Sequence, residues 1–411
     1  MQRQLSNLLR LALALAGLAF IAWSLTWSDQ LVLPVGTTLP DGSTLAAAER
    51  VRLIDGEPGR AGDRVVVQLP SELGAGETMS LDAERVGGGP ADVQYERGVV
   101  STLAGARWSL VVAGVLLVGT LPFLQTARWL MLLRSQGLDP GMTKAFRLTL
   151  VGQFFNFCMP GMTGGDLVKA YYAAKGSGRR GAAVMSVVFD RVAGLLSIIL
   201  LAGLVGLLLL DDPMVRSLTL VVWLVMLALV VFAMGYFSQR FRRWVGIDWL
   251  QRRLGEGSVL TRIDQAALAY RSQPGAVLGA VMVSLPAHLA QMLATALAGW
   301  ALGIDLSLGV LLVVLPIVYF VGSLPITYQG LGVMEGVAFA LLLGLPAAGG
   351  EAGAGATVNQ IVGMLLLGRL YLLVYGLLGS VYVLRGGMHL FPQDEAMADD
   401  ETPSEQTLAA R

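Results

Sequence analysis

Long apolar runs recur along this chain and constrain its fold more than any other feature. Residues 109–133, 184–210, 218–237, 277–302 and 358–384 each carry at most two charged side chains. About 18–20 such residues cross a bilayer as helix. A bilayer core offers backbone groups no water, so segments of this kind close their own hydrogen bonds. Composition agrees: 55 % of the residues are hydrophobic and 14 % charged, where a soluble domain has about a quarter charged. The chain is read as a multi-span helical membrane protein. Its one cysteine, Cys158, excludes an intramolecular disulfide and a cysteine-based metal cage. His288 and His389 are far apart and offer no ligand set. No cofactor is implied.

Residues 1–27 carry Arg3 and Arg10 and then an apolar run from Leu11 to Trp27. No A-x-A cleavage site ends it, which favours an uncleaved first span over a signal peptide. Residues 28–107 change character: they are polar and rich in Gly and Pro, with short alternating runs at Arg50–Ile54, Arg64–Leu69 and Val93–Val100. Pro40-Asp41-Gly42 and Asp55-Gly56 separate them as turns. Period-2 runs between turns predict strands, hence a small β domain. Seven basic and twelve acidic residues give it a balance of −5, which fits an extracytoplasmic position. Lacking histidine, cysteine and a nucleophile elbow, it reads as a spacer or a docking module.

Charge placement sets the expected topology. Residues 134–145 and 175–181 are short basic loops, and 238–273 holds seven arginines against Asp248, Glu256 and Asp264. These loops belong on the cytoplasmic side by the positive-inside rule. Trp244 and Trp249 in the longest loop suit an interfacial helix. Asp211-Asp212 and Asp305 mark turns on the other side, and the acidic tail 389–411 is expected to be disordered.

Two apolar segments are broken. In Gln153–Tyr172, Pro160, Gly161, Gly164 and Gly165 interrupt the run, and Asp166 and Lys169 follow. In Ser323–Glu335 the break is made by Pro325, Gly330 and Gly332, with Tyr328, Gln329 and Glu335 supplying polar groups. If 146–173 crossed completely, its two flanking basic loops would fall on opposite sides; a re-entrant hairpin keeps both inside. Fourteen residues from Phe146 to Met159 make about 21 Å of helix, enough to pass the middle of a core about 30 Å thick. Residues 306–345 read the same way from the outside. Span, hairpin, span therefore occurs twice in opposite senses, the inverted repeat with which transporters build a midplane site from broken helices.

The local chemistry suits an anionic headgroup. Free N–H groups at the start of a returning half-helix attract anions, the glycines let a ligand approach the backbone, and Lys169 lies one turn on. Asp166 is either an N-cap or a ligand contact. Asn156 either lines the same pocket or bonds between helices. Arg191 and Arg369 sit on the spans after the hairpins and need carboxylate partners, with Asp166, Asp190 and Glu335 as the candidates; Arg191 paired with its neighbour Asp190 is the plainer arrangement.

At these residues the chain resembles a known family. "MPGMTGGDLVKAYY", "DRVAGLL" and "LPITYQGLGVMEG" are similar to three signatures of the lysylphosphatidylglycerol synthase transmembrane, or flippase-like, family, which includes the membrane portion of the multiple-peptide-resistance factors. Arg128-Trp129 matches a recurrent pair there. The resemblance covers about 109–385. It implies lipid handling; with no aminoacyl-transferase domain in the sequence, it does not imply lysyl transfer. Lys169 stands where arginine is common and Met334 where many relatives carry arginine. The β domain is not part of the pattern.

The expected fold is an all-α polytopic protein of about six spans plus two re-entrant hairpins, with a small extracytoplasmic β domain after the first span. Residues 1–27 are the first span, 28–107 the β domain, 108–388 the flippase-like domain and 389–411 a cytoplasmic tail. The expected function is translocation of an anionic phospholipid or polyprenyl-linked headgroup across the inner membrane, through a cavity between the hairpins. No ATP-binding motif is present, and nucleic acid is not a partner. The alternatives are an integral-membrane enzyme acting on a lipid phosphate, and a scaffold whose β domain docks an envelope partner.

Overall fold

The polar stretch after the first apolar run forms one antiparallel sheet. Its strands are β1 Gln30–Leu33, β2 Glu49–Asp55, β3 Arg64–Gln68, β4 Thr78–Asp82 and β5 Gln94–Glu96, in the order β4-β3-β2-β1-β5. This computed structural model describes residues 19, 21–39, 43–56, 64–69, 78–82, 93–158, 164–175, 179–211, 213–238, 244, 264–265, 268–324, 327–343, 345 and 355–387. The alternation that predicts β3 is realised: Val65 and Val67 point into the core while Arg64 and Gln68 are exposed. Leu31, Leu33, Val51 and Leu81 complete that face. The run expected over Val93–Val100 is a strand only at Gln94–Glu96, because the chain turns at Gly98 into a short helix, α1, Val99–Ala104.

A partly buried carboxylate makes that turn. Asp29, at the start of β1, accepts hydrogen bonds from the Tyr95 hydroxyl at 2.8 Å, the Gly98 N–H at 2.7 Å and the Ser101 hydroxyl. Burial pushes its carboxyl up, but these three donors and the Arg97 charge outweigh burial and leave it below its usual 3.8. Burial and Asp29 together push the Tyr95 hydroxyl up to about 12.

The remaining elements are helices. They are α2 Trp108–Val118, α3 Leu121–Ser135, α4 Met142–Cys158, α5 Gly164–Ala174, α6 Arg180–Leu207 and α7 Pro213–Phe237, then α8 Pro274–Ala301, α9 Leu308–Ser323, α10 Val333–Leu342 and α11 Val358–Tyr382. Among the described residues five stretches are long and apolar enough to cross a membrane: Trp108–Ser135, Gly181–Leu207, Val215–Phe232, Pro274–Ala301 and Val358–Arg385. Residues 1–18 and 20, most of the loop 238–273 and the tail 389–411 lie outside the described residues. Helices α4, α5, α9 and α10 have 17, 11, 16 and 10 residues. At 1.5 Å per residue the longest of them is about 25 Å, short of a full core.

The chain divides into two compact units. One comprises residues 1–118, 202–219 and 290–370, the other residues 119–201, 220–289 and 371–411. The first contains the sheet and the pair α9 and α10. Ser307 caps α9 by accepting from the Val310 N–H, and the helix ends at Leu324, which is extended as the residue before a proline must be. Gln329 and Gly330 then take left-handed backbone, a conformation that costs a non-glycine residue about 1 kcal/mol. Gly330 closes tightly: a Cβ there would lie 2.9 Å from the Gly322 Cα.

The second unit is built around α3, α4, α5 and the first part of α6. Trp129, Leu133, Leu148, Val151, Phe155, Val168 and Val187 fill its core. The closest approach is between α4 and α5: a Cβ on Gly165 would fall 1.8 Å from the Gly152 carbonyl oxygen. Small residues at a helix crossing let backbones meet in this way.

Two expectations follow. Because Asp29 is more acidic folded than unfolded, its contribution is present above about pH 4 and is lost as pH falls through its folded value. Amide exchange at Gly98 should therefore accelerate in acid, and Asp29→Asn should flatten that pH dependence. Gly165→Ala should cost about 1–3 kcal/mol by overpacking, read as a lower thermal midpoint in detergent. Gly336→Ala, where a Cβ meets nothing within 4 Å, should leave the midpoint unchanged or raise it.

Candidate functional site

Arginine and lysine are costly inside an apolar bundle, so their partners define where polar chemistry is tolerated. In the second unit α3 presents Arg128-Trp129, α5 presents Asp166 and Lys169, α6 presents Asp190-Arg191 and α8 presents Ser284. The Arg128 guanidinium grips Asp190 with two bonds, Nε to Oδ1 at 2.6 Å and Nη2 to Oδ2 at 3.0 Å, and its Nη1 donates to the Ser284 hydroxyl at 3.1 Å. Lys169 Nζ approaches the same carboxylate at 3.5 Å and lies 4.4 Å from the centre of the Trp129 ring. Trp129 is fully buried, its indole N–H donating to Ser186 at 3.2 Å. Side-chain exposures of 12 % for Arg128, 8 % for Lys169 and 6 % for Asp190 put all three charges out of bulk water.

One carboxylate therefore serves two cations, and the cluster carries a net positive charge. Two pieces of packing hold it. Gly194 of α6 faces the guanidinium, where a Cβ would sit 3.2 Å from Nη1; Gly152 of α4 faces the Lys169 stem, where a Cβ would sit 2.9 Å from Cγ and Cδ. The next residue of α6, Arg191, pairs through Nε with Asp166. Asp190 and Arg191 are thus not each other's partners: Asp190 binds Arg128 of α3 and Lys169 of α5, and Arg191 binds Asp166 at the start of α5, because neighbours on a helix point about 100° apart.

The first unit holds a second charged pair. Arg369 Nη1 of α11 donates to Glu335 Oε1 at 2.5 Å, and Arg369 Nη2 meets the Met334 sulfur at 3.4 Å. Glu335 is wholly buried, and its other oxygen accepts the Gly332 N–H at 2.8 Å, so it caps α10 while neutralising the arginine. Gln291 and Thr295 of α8 and Tyr319 of α9 form a hydrogen-bonded group, with Tyr319 Oη 2.9 Å from Thr295 and 3.3 Å from Gln291 Nε2.

Several site residues inferred from the sequence take other roles or fall elsewhere. Asn156 bonds between helices, its Oδ1 accepting the Gly165 N–H at 3.0 Å. Gly165 does not open the backbone to a ligand, since the Gly152 carbonyl fills that space. Gly164 begins α5, and Gln329, Gly330 and Gly332 form the turn before α10. Pro160, Gly161, Pro325 and the side chain of Tyr328 lie outside the described residues. Ser284, Gln291, Thr295 and Tyr319 were not anticipated. A signal existed: Ser284, His288, Gln291 and Thr295 recur at i, i+4, i+7 and i+11 in an otherwise apolar helix, the spacing of one face.

Comparison with known proteins gives one match. No curated protein and no solved structure matches. The family model for the lysylphosphatidylglycerol synthase TM region matches residues 97–368, more than half of the chain. The matched segment contains every charged residue of the two clusters except Arg369, and the sheet lies before it. The chain belongs to the lysylphosphatidylglycerol synthase TM region family and is a multi-pass membrane protein related to lipid handling.

Proposed function

We propose that the chain is a flippase-type translocator that moves an anionic phospholipid or lipid-linked headgroup between leaflets, and that the Arg128–Lys169–Asp190 cluster recognises the headgroup's negative charge. The observation that carries this reading is the charge imbalance: two buried cations share one carboxylate. Arg128 spends most of its donors on Asp190 and Ser284, whereas the Lys169 contact with Asp190 is long at 3.5 Å. An ammonium has three donors, so Lys169 is the residue with capacity for a phosphate oxygen. A carboxylate held by two cations is a weak base, which favours binding over lipid chemistry. We therefore read the protein as a transporter and not an enzyme.

The arrangement in the membrane belongs to the same proposal. A pair of short helices sits in chain order between long ones twice, as α4 and α5, then as α9 and α10. Basic residues flank the first pair, and Asp305 precedes the second. This supports re-entrant hairpins in an inverted repeat, with both termini cytoplasmic, the sheet extracytoplasmic and the inner membrane as location. Without an ATP-binding motif, movement is passive or driven by a gradient.

Purified protein in liposomes should move a fluorescent anionic phosphodiester lipid without altering it. Lys169→Met should slow that movement at least about tenfold, the effect of losing one charge-assisted bond, and Lys169→Arg should largely keep it. Chemical change in the lipid, or full movement by Lys169→Met, would overturn the assignment. Asp190→Asn leaves Arg128 buried without its counter-ion and should lower the thermal midpoint, a loss of about 3–5 kcal/mol.

A further inference from the structure

His288 has no part in the function proposed above, yet it lies beside the anion site. It is one turn beyond Ser284 on α8, and Ser284 accepts from Arg128. A Cβ built on Gly194 would lie 3.2 Å from Arg128 Nη1 and 3.9 Å from His288 Nε2, so both side chains converge on one small space against α6. The His288 Nε2 is buried and meets no hydrogen-bond partner among the described residues. A buried polar atom left in this way requires an explanation.

We propose that His288 takes up a proton together with the anionic headgroup, so that proton and lipid bind cooperatively at this one site. The proposal rests on the reading of the Arg128–Lys169–Asp190 cluster as an anion site. The charged group that converges with His288 on Gly194 is Arg128 from α3, which is held by Asp190 from α6 and, through Asp190, linked to Lys169 from α5. Arg191 and Asp166, next along α6 and α5, neutralise each other.

Asp190 is engaged by Arg128 and Lys169 and leaves no carboxylate for a third cation. Imidazolium in the empty site would add a positive charge to a cluster already in excess, away from water, where such a charge is costly. A phosphodiester held by Lys169 and Arg128 brings one negative charge and offsets that cost. Linkage then works in both directions: bound anion raises the proton affinity of His288, and bound proton raises the affinity for the anion by the same factor. A protein that binds the two together can use a proton gradient to give lipid movement a direction, which suits a chain without an ATP-binding motif. Histidine is suited to this because its charge changes between about pH 5 and 8, where a phosphodiester keeps its charge.

The chain has two histidines, which makes the test direct. His389→Gln protein in nanodiscs, labelled at histidine with nitrogen-15, reports the titration of native His288 alone. Saturating short-chain phosphatidylglycerol should move its midpoint upward. In parallel, the affinity of fluorescent phosphatidylglycerol for unlabelled full-length protein should rise as pH falls, by up to about tenfold per unit for one linked proton. His288→Gln should bind with an affinity that no longer depends on pH. Two outcomes overturn the proposal while leaving the anion site intact: an unmoved midpoint in the presence of bound lipid, or the same pH dependence in His288→Gln. Absence of lipid binding at every pH overturns the anion-site reading, and this proposal with it.

Discussion

Asp190 is the residue on which the second unit depends. Its carboxylate is shared by Arg128 from α3 and Lys169 from α5 and is carried on α6, so one charged group joins three helices. Lipid tails are as apolar as leucine, so helices inside a bilayer gain little by hiding apolar faces from it; packing and polar contacts between helices specify the arrangement instead. A buried ion pair is a poor source of net stability but a strong constraint, because breaking it strands a charge. Small residues complete the constraint: Gly194 and Gly152 make room for the guanidinium and the lysine stem.

The same logic governs the residues that follow each broken segment. Asp166 is the third residue of α5 and pairs with Arg191; Glu335 is the third residue of α10 and pairs with Arg369. A carboxylate in a first helical turn is favoured by the helix dipole, and an arginine on the next long helix needs an anion. The two requirements are met by one residue in each case. Glu335 serves both visibly, since its second oxygen holds the Gly332 N–H.

Much of this was legible in the sequence because the signals are local. Apolar length announces the spans, the Pro/Gly clusters announce the breaks, and buried arginines announce a search for carboxylates. What the sequence left open was pairing. Asp190 and Arg191 are adjacent and of opposite sign, so a partnership between them was the plain reading, yet helical geometry sends them to different neighbours. The strands β1 and β4 escaped notice for a different reason: QLVL and TMSLD are only four and five residues long, too short for an alternating pattern to stand out. The polar face of α8 was missed because single polar residues four and three apart look like scatter until they are placed on a helix.

The structure gathers its buried cations away from where the break suggested an anion cradle. A glycine-rich break before a helix reads as an anion cradle, with free N–H groups and room for a ligand. In α5 that role is already taken at the first described turn: the Gly165 N–H donates to Asn156, and the space above its Cα is occupied by the Gly152 carbonyl. The glycines there serve a close crossing of α4 and α5. That crossing is what lets Lys169, one turn further along α5, reach across the face of Trp129 toward Asp190. The buried positive charge beside Asp190 therefore comes from side chains outside the break, Arg128 before it and Lys169 after it.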